Sequence, residues 1–242
     1  MTSTPQPTLN AAPFHTTRWT RVCLAKADSE DGRRALADLC DAYYEPVVAY
    51  LRSVFRDSDA AREMSHAFFA EMLGGGAINT ADRERGRFRS YLLGAVKHFV
   101  SRQREMQLSL KRGAGLQPVS MDEEGVVEVR DSGMISPDAA FDRQWALTVL
   151  ERSLEALRAE CLSGGKERLF DHSRPFLTGD SAYGDQGAAA AACGMSIEAF
   201  RVALHRMKKQ LRQCMKAEIA GTLEDAASVT DEMQILFEAL GG

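Results

Sequence analysis

Residues 186–216 read QGAAAAACGMSIEAFRVALHRMKKQLRQCMK, and the pattern in this stretch decides how the rest of the chain is read. Ala190 is followed four residues later by Gly194, which is flanked by Cys193 and Met195, with Phe200 and Ala203 beyond. A helix-turn-helix needs a small residue where its helices cross, a glycine at the turn, and apolar side chains that hold the pair together. Ser196 is placed to cap the second helix. Along that helix Phe200, Leu204, Met207, Leu211 and Cys214 recur in steps of four and three and form the apolar face. The opposite face presents Glu198, Arg201, Val202, His205, Lys208, Lys209 and Arg212. Its N-terminal members can reach base edges in a major groove, and the later cations can sit near phosphates. An ordinary αα-hairpin with a basic surface is the competing reading. The cap, the apolar offsets and six basic residues against one acid over 197–216 together favour DNA binding.

Upstream, Ser136-Pro137-Asp138 is a helix start: a capping side chain, a proline where its missing N–H costs nothing, and an acid at the positive dipole end. Leu147, Leu150, Leu154, Leu157 and Cys161 continue that helix. A shorter helix is expected around 166–173, ending before Pro175 and a loop to Gly184. Before all of these, residues 113–136 are rich in glycine and acids and lack periodicity, which predicts a linker. As a flexible coil they would span roughly 27 Å.

Three helices are expected ahead of the linker. Leu36, Leu39, Tyr43, Val47, Leu51 and Val54 form one face of the first, from Asp31, with a bend at Pro46. Asp57-Ser58-Asp59 starts the second, with Ala61, Met64, Phe68 and Met72 on one face, and Gly74, Gly75 and Gly76 end it. The third runs from Phe88 through Leu92, Ala95, Val96 and Phe99 to about Lys111. On it Arg89, Lys97, Arg104 and Lys111 share a sector and make a basic stripe opposite the apolar one. Only 125–130 shows strand-like alternation. The expected fold is therefore all-α: two helical domains joined by an acidic flexible linker, the second containing the helix-turn-helix. The expected divisions are a flexible leader 1–17, a helical domain 18–112, the linker 113–136, a helix-turn-helix domain 137–221 and an acidic extension 222–242.

Composition narrows the function classes. The 242 residues carry 30 Lys and Arg against 34 Asp and Glu, and 45% are hydrophobic, which excludes wholesale disorder and collagen-like repeats. The mild net charge hides segregation: nine bases against two acids over 83–112, four against ten over 113–160, and six acids with no base from Ala217 onward. Two basic islands around an acidic stretch fit a chain that touches a polyanion at two places. The longest stretch free of charged or strongly polar side chains, Gly187–Met195, is far short of the roughly 20 residues that span a bilayer. No signal peptide is read in residues 1–13, so a soluble cytoplasmic protein without membrane contact is expected. Cys23, Cys40, Cys161, Cys193 and Cys214 are odd in number and scattered, as expected of reduced thiols. His15, His66, His98, His172 and His205 do not cluster at metal spacing, so no metal or cofactor is expected. The Gly74–Gly76 run lacks the Gly-Lys-Ser/Thr of a phosphate loop. Trp19 and Trp145 are expected in the core. With no legible nucleophile–base constellation, the chain is not expected to be an enzyme. In the acidic extension, Met233, Leu236, Phe237 and Leu240 suit a short amphipathic helix. It is expected to cover an apolar groove of the second domain; a sharper reading adds that its acids sit beside the basic recognition helix and compete with DNA there.

Taken in order, these pieces resemble a sigma factor of the extracytoplasmic-function (ECF) group, a promoter-specificity subunit of bacterial RNA polymerase. Phe14-His15-Thr16-Thr17-Arg18-Trp19 is similar to the Phe-x-Thr-Thr-Arg-Trp opening of one large ECF branch. Ala42-Tyr43-Tyr44 with Pro46, then Asp59-Ala60-Ala61 and Phe68-Phe69, resemble the first helices of the polymerase-binding domain. Arg85-Gly86-Arg87-Phe88-Arg89-Ser90-Tyr91-Leu92-Leu93 resembles the branch's Arg-Gly-x-Phe-Arg-x-aromatic-Leu-Leu signature, continued by Lys97-His98-Phe99. Leu169-Phe170-Asp171-His172, Arg174-Pro175-Phe176-Leu177, Gly194-Met195-Ser196 and Val202-Ala203-Leu204-His205-Arg206 follow the same branch.

The resemblance implies roles. Arg83, Arg85, Arg87, Arg89, Lys97, Arg102 and Arg104 would contact and melt the −10 promoter element. Ser196, Glu198, Arg201, Val202, His205, Lys208, Lys209 and Arg212 would read the −35 element. Arg62, Glu63, His66 and Phe69 would dock on the clamp helices of the largest subunit of core RNA polymerase, and the acidic linker would lie in a polymerase channel. Promoter DNA and the polymerase are the implied partners, with an anti-sigma factor or other regulator as a further one. The chain departs from the family where Glu63-Met64-Ser65-His66-Ala67-Phe68-Phe69 replaces a run like Asp-Leu-Thr-Gln-Glu-Phe-Phe, which puts core binding in question. Lys208-Lys209 stands in place of the usual arginines and lacks their bidentate fork. Two rival classes remain: a helix-turn-helix regulator without core binding, and a helical metal-dependent enzyme such as a nuclease, which the missing carboxylate/His cluster disfavours.

Overall fold

The computed structural model describes residues 29–74, 87–113, 135–179, 186–220 and 226–241. Among them the chain forms α1 (Glu30–Phe55), α2 (Ser58–Gly74), α3 (Phe88–Gly113), α4 (Pro137–Ser163), α5 (Glu167–Thr178), α6 (Gln186–Ala192), α7 (Ile197–Ala220) and α8 (Ala226–Gly241), and no strand. The fold is all-α, as its periodicity predicts. The leader with its Phe14–Trp19 motif, Cys23, Arg83, Arg85 and the linker at 114–134, together with the side chains of Leu36 and Lys111, lie outside the described residues.

Helix starts follow local chemistry. The Ser29 side chain accepts the Gly32 N–H at 3.0 Å, with Glu30 and Asp31 in the first turn of α1. Asp57 Oδ1 accepts the N–H of Asp59 at 2.8 Å and of Ala60 at 3.2 Å, which opens α2. Ser136 Oγ accepts the Ala139 N–H at 3.2 Å, and Pro137 occupies the first position of α4, as the sequence predicts.

Contacts divide the chain into two compact units. One holds Leu150–Glu218; the other holds the described residues up to Val149 together with those from Ile219 onward. This division falls inside α4 and α7, so residues 137–149 and 219–241 join α1–α3 where the sequence division assigns them elsewhere.

In the unit built on α1–α3, Val47, Leu51, Leu92 and Val96 are fully buried, and the rings of Tyr43 and Phe88 (5.3 Å) and of Phe68 and Phe99 (5.5 Å) meet edge to face. Pro46 lies inside α1, which continues through it. In the unit of 150–218, Phe176, Ala190, Phe200 and Leu204 form the core, with Phe176 and Phe200 edge to face at 6.0 Å. Trp145 is buried, as expected.

Two expectations need correction. The helix placed at 166–173 runs on through Pro175 to Thr178, ending at Gly179 with φ of 85°. Proline forfeits one helical bond, but Phe170, Ser173 and Phe176 bury one face of α5 across it, and that packing offsets the loss. Leu147 is exposed; the first half of α4 buries Phe141, Trp145 and Val149, the second half Leu154, Leu157 and Cys161. The buried sector shifts along α4 because each half serves its own core.

No single helix among the described residues is long and apolar enough to cross a membrane. Cys40, Cys161, Cys193 and Cys214 are free thiols. Burial pushes the Cys214 thiol up from 9.0 to about 11, with a further push from Glu160. The folded form holds that proton longer than the unfolded one, so stability from it is whole below pH 9 and is lost as pH rises toward 11. Alkylation by iodoacetamide at pH 8.5, read by mass spectrometry, should label Cys214 about two orders of magnitude more slowly in the folded chain than in urea. In the same unit, Phe200→Ala should lower stability by about 3–5 kcal/mol in urea melts followed by circular dichroism, because it empties the centre of a packed core.

Candidate nucleic-acid interface

The turn between α6 and α7 is built by backbone bonds. The Met195 N–H reaches the Ala190 carbonyl and the Gly194 N–H reaches the Ala191 carbonyl, both at 3.0 Å, a Schellman ending with Gly194 at φ of 66°. That left-handed conformation costs a residue with a Cβ roughly 1–2 kcal/mol, which is why glycine stands there. The chain restarts at once, since Ser196 Oγ accepts the Ala199 N–H at 3.2 Å and caps α7. The axes of α6 and α7 differ in direction by 96°. Ala190 packs against Phe200 and Leu204 on the inside of the bend.

The outer face of α7 is exposed throughout: Glu198, Arg201, Val202, His205, Lys208, Lys209 and Arg212, with Ser196 exposed at the cap. Val202 keeps 52% of its surface in contact with water, on a face otherwise charged or polar. On the inner side Leu211 and Met215 are buried and Cys214 only half so. One residue here escapes the sequence reading. Gln186, buried at the first position of α6, accepts the Arg201 Nε–H on its Oε1 at 3.2 Å. The bond engages one of the five guanidinium N–H donors of Arg201. The only available signal was a lone amide ahead of a glycine–alanine run.

The basic helix α3 differs from its expected form. Arg89, expected on an exposed stripe, is 7% exposed. Its Nε and Nη2 donate to Glu232 Oε1 and Oε2 at 3.3 and 3.2 Å, its Nη1 donates to Asp142, and the Trp145 ring centroid lies 4.9 Å from its guanidinium carbon. Burial opposes the charge of Arg89, but Glu232 and Asp142 more than offset this and raise its pKa. Arg87 Nη1 lies 3.4 Å from Glu232 Oε2, and its Nη2 lies 3.6 Å from Asp231 Oδ2. Lys97 pairs with Asp138, a hydrogen bond that raises the lysine pKa, and Arg102 pairs with Glu71. Arg104 is exposed.

The acidic extension is corrected by the same contacts. Helix α8 belongs to the unit of α1–α3, not to the unit that holds Leu150–Glu218, and its Asp231 and Glu232 meet Arg87 and Arg89. Met233 and Leu236 are buried as its amphipathic pattern requires, while Phe237 stays exposed. The forked guanidinia give Glu232 a desolvated partner as well as a charge, which favours this face for a buried carboxylate.

Of the four residues assigned to polymerase docking, Arg62 and Glu63 are exposed. His66 is exposed, its Nε2 3.1 Å from the Tyr44 hydroxyl and its ring stacked on Tyr44. Phe69 is buried between Tyr44 and Phe68 and so packs α2 on α1, a correction to its assignment as a contact residue. Beside them, an open groove of about 480 Å³ between α2 and α3 is lined by Phe68, Met72, Tyr91, Phe99 and the Glu71–Arg102 pair. No group of three His, Cys, Asp or Glu side chains that could hold a metal ion occurs among the described residues.

Compared with family models, with curated proteins and with solved structures, the chain matches none of them.

The buried network and the exposed cations of α3 should behave differently on substitution. Arg89→Met leaves Glu232 buried without its main partner and should cost about 3–5 kcal/mol in a urea melt. Arg104→Ala, on the exposed side, should change stability by no more than about 0.5 kcal/mol.

Proposed function

We propose that this chain is a sigma factor of the ECF type, which binds core RNA polymerase, directs it to specific promoters and helps to open the DNA. The observation that carries the reading is the α6–α7 pair: a glycine turn, a capped second helix and an axis change of 96°, within the roughly 90–120° of helix-turn-helix motifs. Its exposed face supplies Arg201, Lys208, Lys209 and Arg212 for a duplex, with Glu198, Val202 and His205 near the start of the helix. The ordered motifs from Phe14 to Arg206 support the same reading. The Arg89 contacts change one part of it: of the residues assigned to the −10 element, Lys97, Arg102 and Arg104 have side chains on the solvent side of α3 or near it, whereas Arg89 is enclosed.

A second reading, a helix-turn-helix regulator that does not bind core polymerase, is favoured by α2. There Phe69 is spent on packing and His66 is engaged by Tyr44. Pull-down with purified core enzyme separates the two, and run-off transcription from selected promoter DNA tests the first directly. Within either reading, Arg201→Ala should weaken binding to the preferred duplex by about 1–3 kcal/mol and relax preference at one base pair. Lys209→Ala should weaken binding evenly across sequences and lower the salt dependence by about one phosphate contact. Unchanged affinity and selectivity in Arg201→Ala would remove α7 as the reading helix.

A further inference from the structure

We propose that the N-terminal end of α3 is a phosphate-binding surface already occupied by α8, so that a nucleic-acid backbone and α8 compete for Arg87 and Arg89. The inference rests on the DNA-binding reading above and adds its regulation.

Asp231 and Glu232 are adjacent on α8, and they offer their carboxylates to two arginines spaced two residues apart on α3. Carboxylate and phosphate are recognised by the guanidinium fork in the same bidentate way, so consecutive acids present to α3 what consecutive phosphates would. Coexistence is sterically closed. Glu232 is 1% exposed and Arg89 7%, and a phosphate cannot reach a guanidinium that water itself barely touches. Occupation of this surface by nucleic acid therefore requires α8 to leave.

The helix is built to be removable. It has 16 residues, near the length at which an isolated helix is marginal in water, so it persists only while docked. Its docking is carried by Glu232, Met233 and Leu236, while Asp231 stands at the solvent edge with 71% of its side chain exposed. Arg104, exposed farther along α3, gives an incoming strand a first contact that does not need α8 to move. Once α8 departs, Asp142 and Trp145 still hold Arg89 from α4, so the emptied surface keeps its arginine in place. The docked form binds nucleic acid weakly and the undocked form binds it well.

The test uses the full chain and a fluorescein-labelled single-stranded 20-mer at low salt, with hydrogen exchange of peptides covering 226–241 read by mass spectrometry. Saturating DNA should speed exchange in α8 by about ten-fold. Glu232→Gln should bind the oligonucleotide about five-fold more tightly than the unaltered chain, and Asp231→Asn, which touches no buried group, about two-fold. DNA binding with α8 exchange unchanged or slowed, and with equal affinities in the variants, overturns the competition and leaves the DNA-binding reading intact. Failure of the unaltered chain and of both variants to bind the 20-mer overturns the competition, and the DNA-binding reading then falls only if the chain also fails to bind its preferred duplex.

Discussion

Removing the guanidinium of Arg89 from water costs several kcal/mol, and the packing of three helices around it is set by the need to offset that cost. The fork takes both oxygens of Glu232 from α8, the remaining nitrogen takes Asp142 from α4, and Trp145 closes the plane from the same helix. Replacing Glu232 by an apolar side chain would take away both oxygens from the fork of a buried guanidinium. The first turn of α3 is thereby fixed to helices that follow it by about fifty and by more than a hundred residues in sequence. Around this polar centre the apolar packing is ordinary: Phe88 against Tyr43 and Tyr91, and Met233 and Leu236 buried.

In the other unit the turn between α6 and α7 is organised by backbone geometry. Gly194 ends α6 in a left-handed conformation, Ser196 opens α7 two residues later, and Phe176 and Phe200 lock the bend from inside. The turn itself is satisfied by main-chain bonds and the cap, so the exposed charges on the outer face of α7 are not needed to close it. Gln186 adds a point of order by restraining Arg201, the first cation of that face. A restrained guanidinium loses less freedom on pairing with a base or phosphate than a free one.

Much of this was legible in the sequence because it depends on short-range chemistry. Ser136-Pro137, Asp57 and Gly194 mark helix ends through bonds to neighbours three or four residues away, and those marks survived folding. The apolar steps of α1, α3 and α7 likewise report which side is buried. Arg89 was misread for the opposite reason. Its spacing with Lys97 and Arg104 is a property of one helix, whereas its burial is decided by residues 53 and 143 positions away. A basic stripe therefore looks the same whether it awaits a phosphate or already holds a carboxylate. Leu147 was misread because α4 changes its buried sector partway along, which a single periodic template cannot express. Pro175 read as a stop because local sterics disfavour it in a helix, and the packing of Phe170 and Phe176 overrode them.

The separation of 143 residues between Arg89 and Glu232 also has a meaning in time. A ribosome adding 5–20 residues per second needs roughly 7–30 s to travel from one to the other. Throughout that interval α3 exists with its arginines and without α8, beside the most abundant polyanion in the cell, ribosomal RNA. The contact that completes this unit is thus made late, and until then the nascent chain displays its basic surface to the machine that is making it.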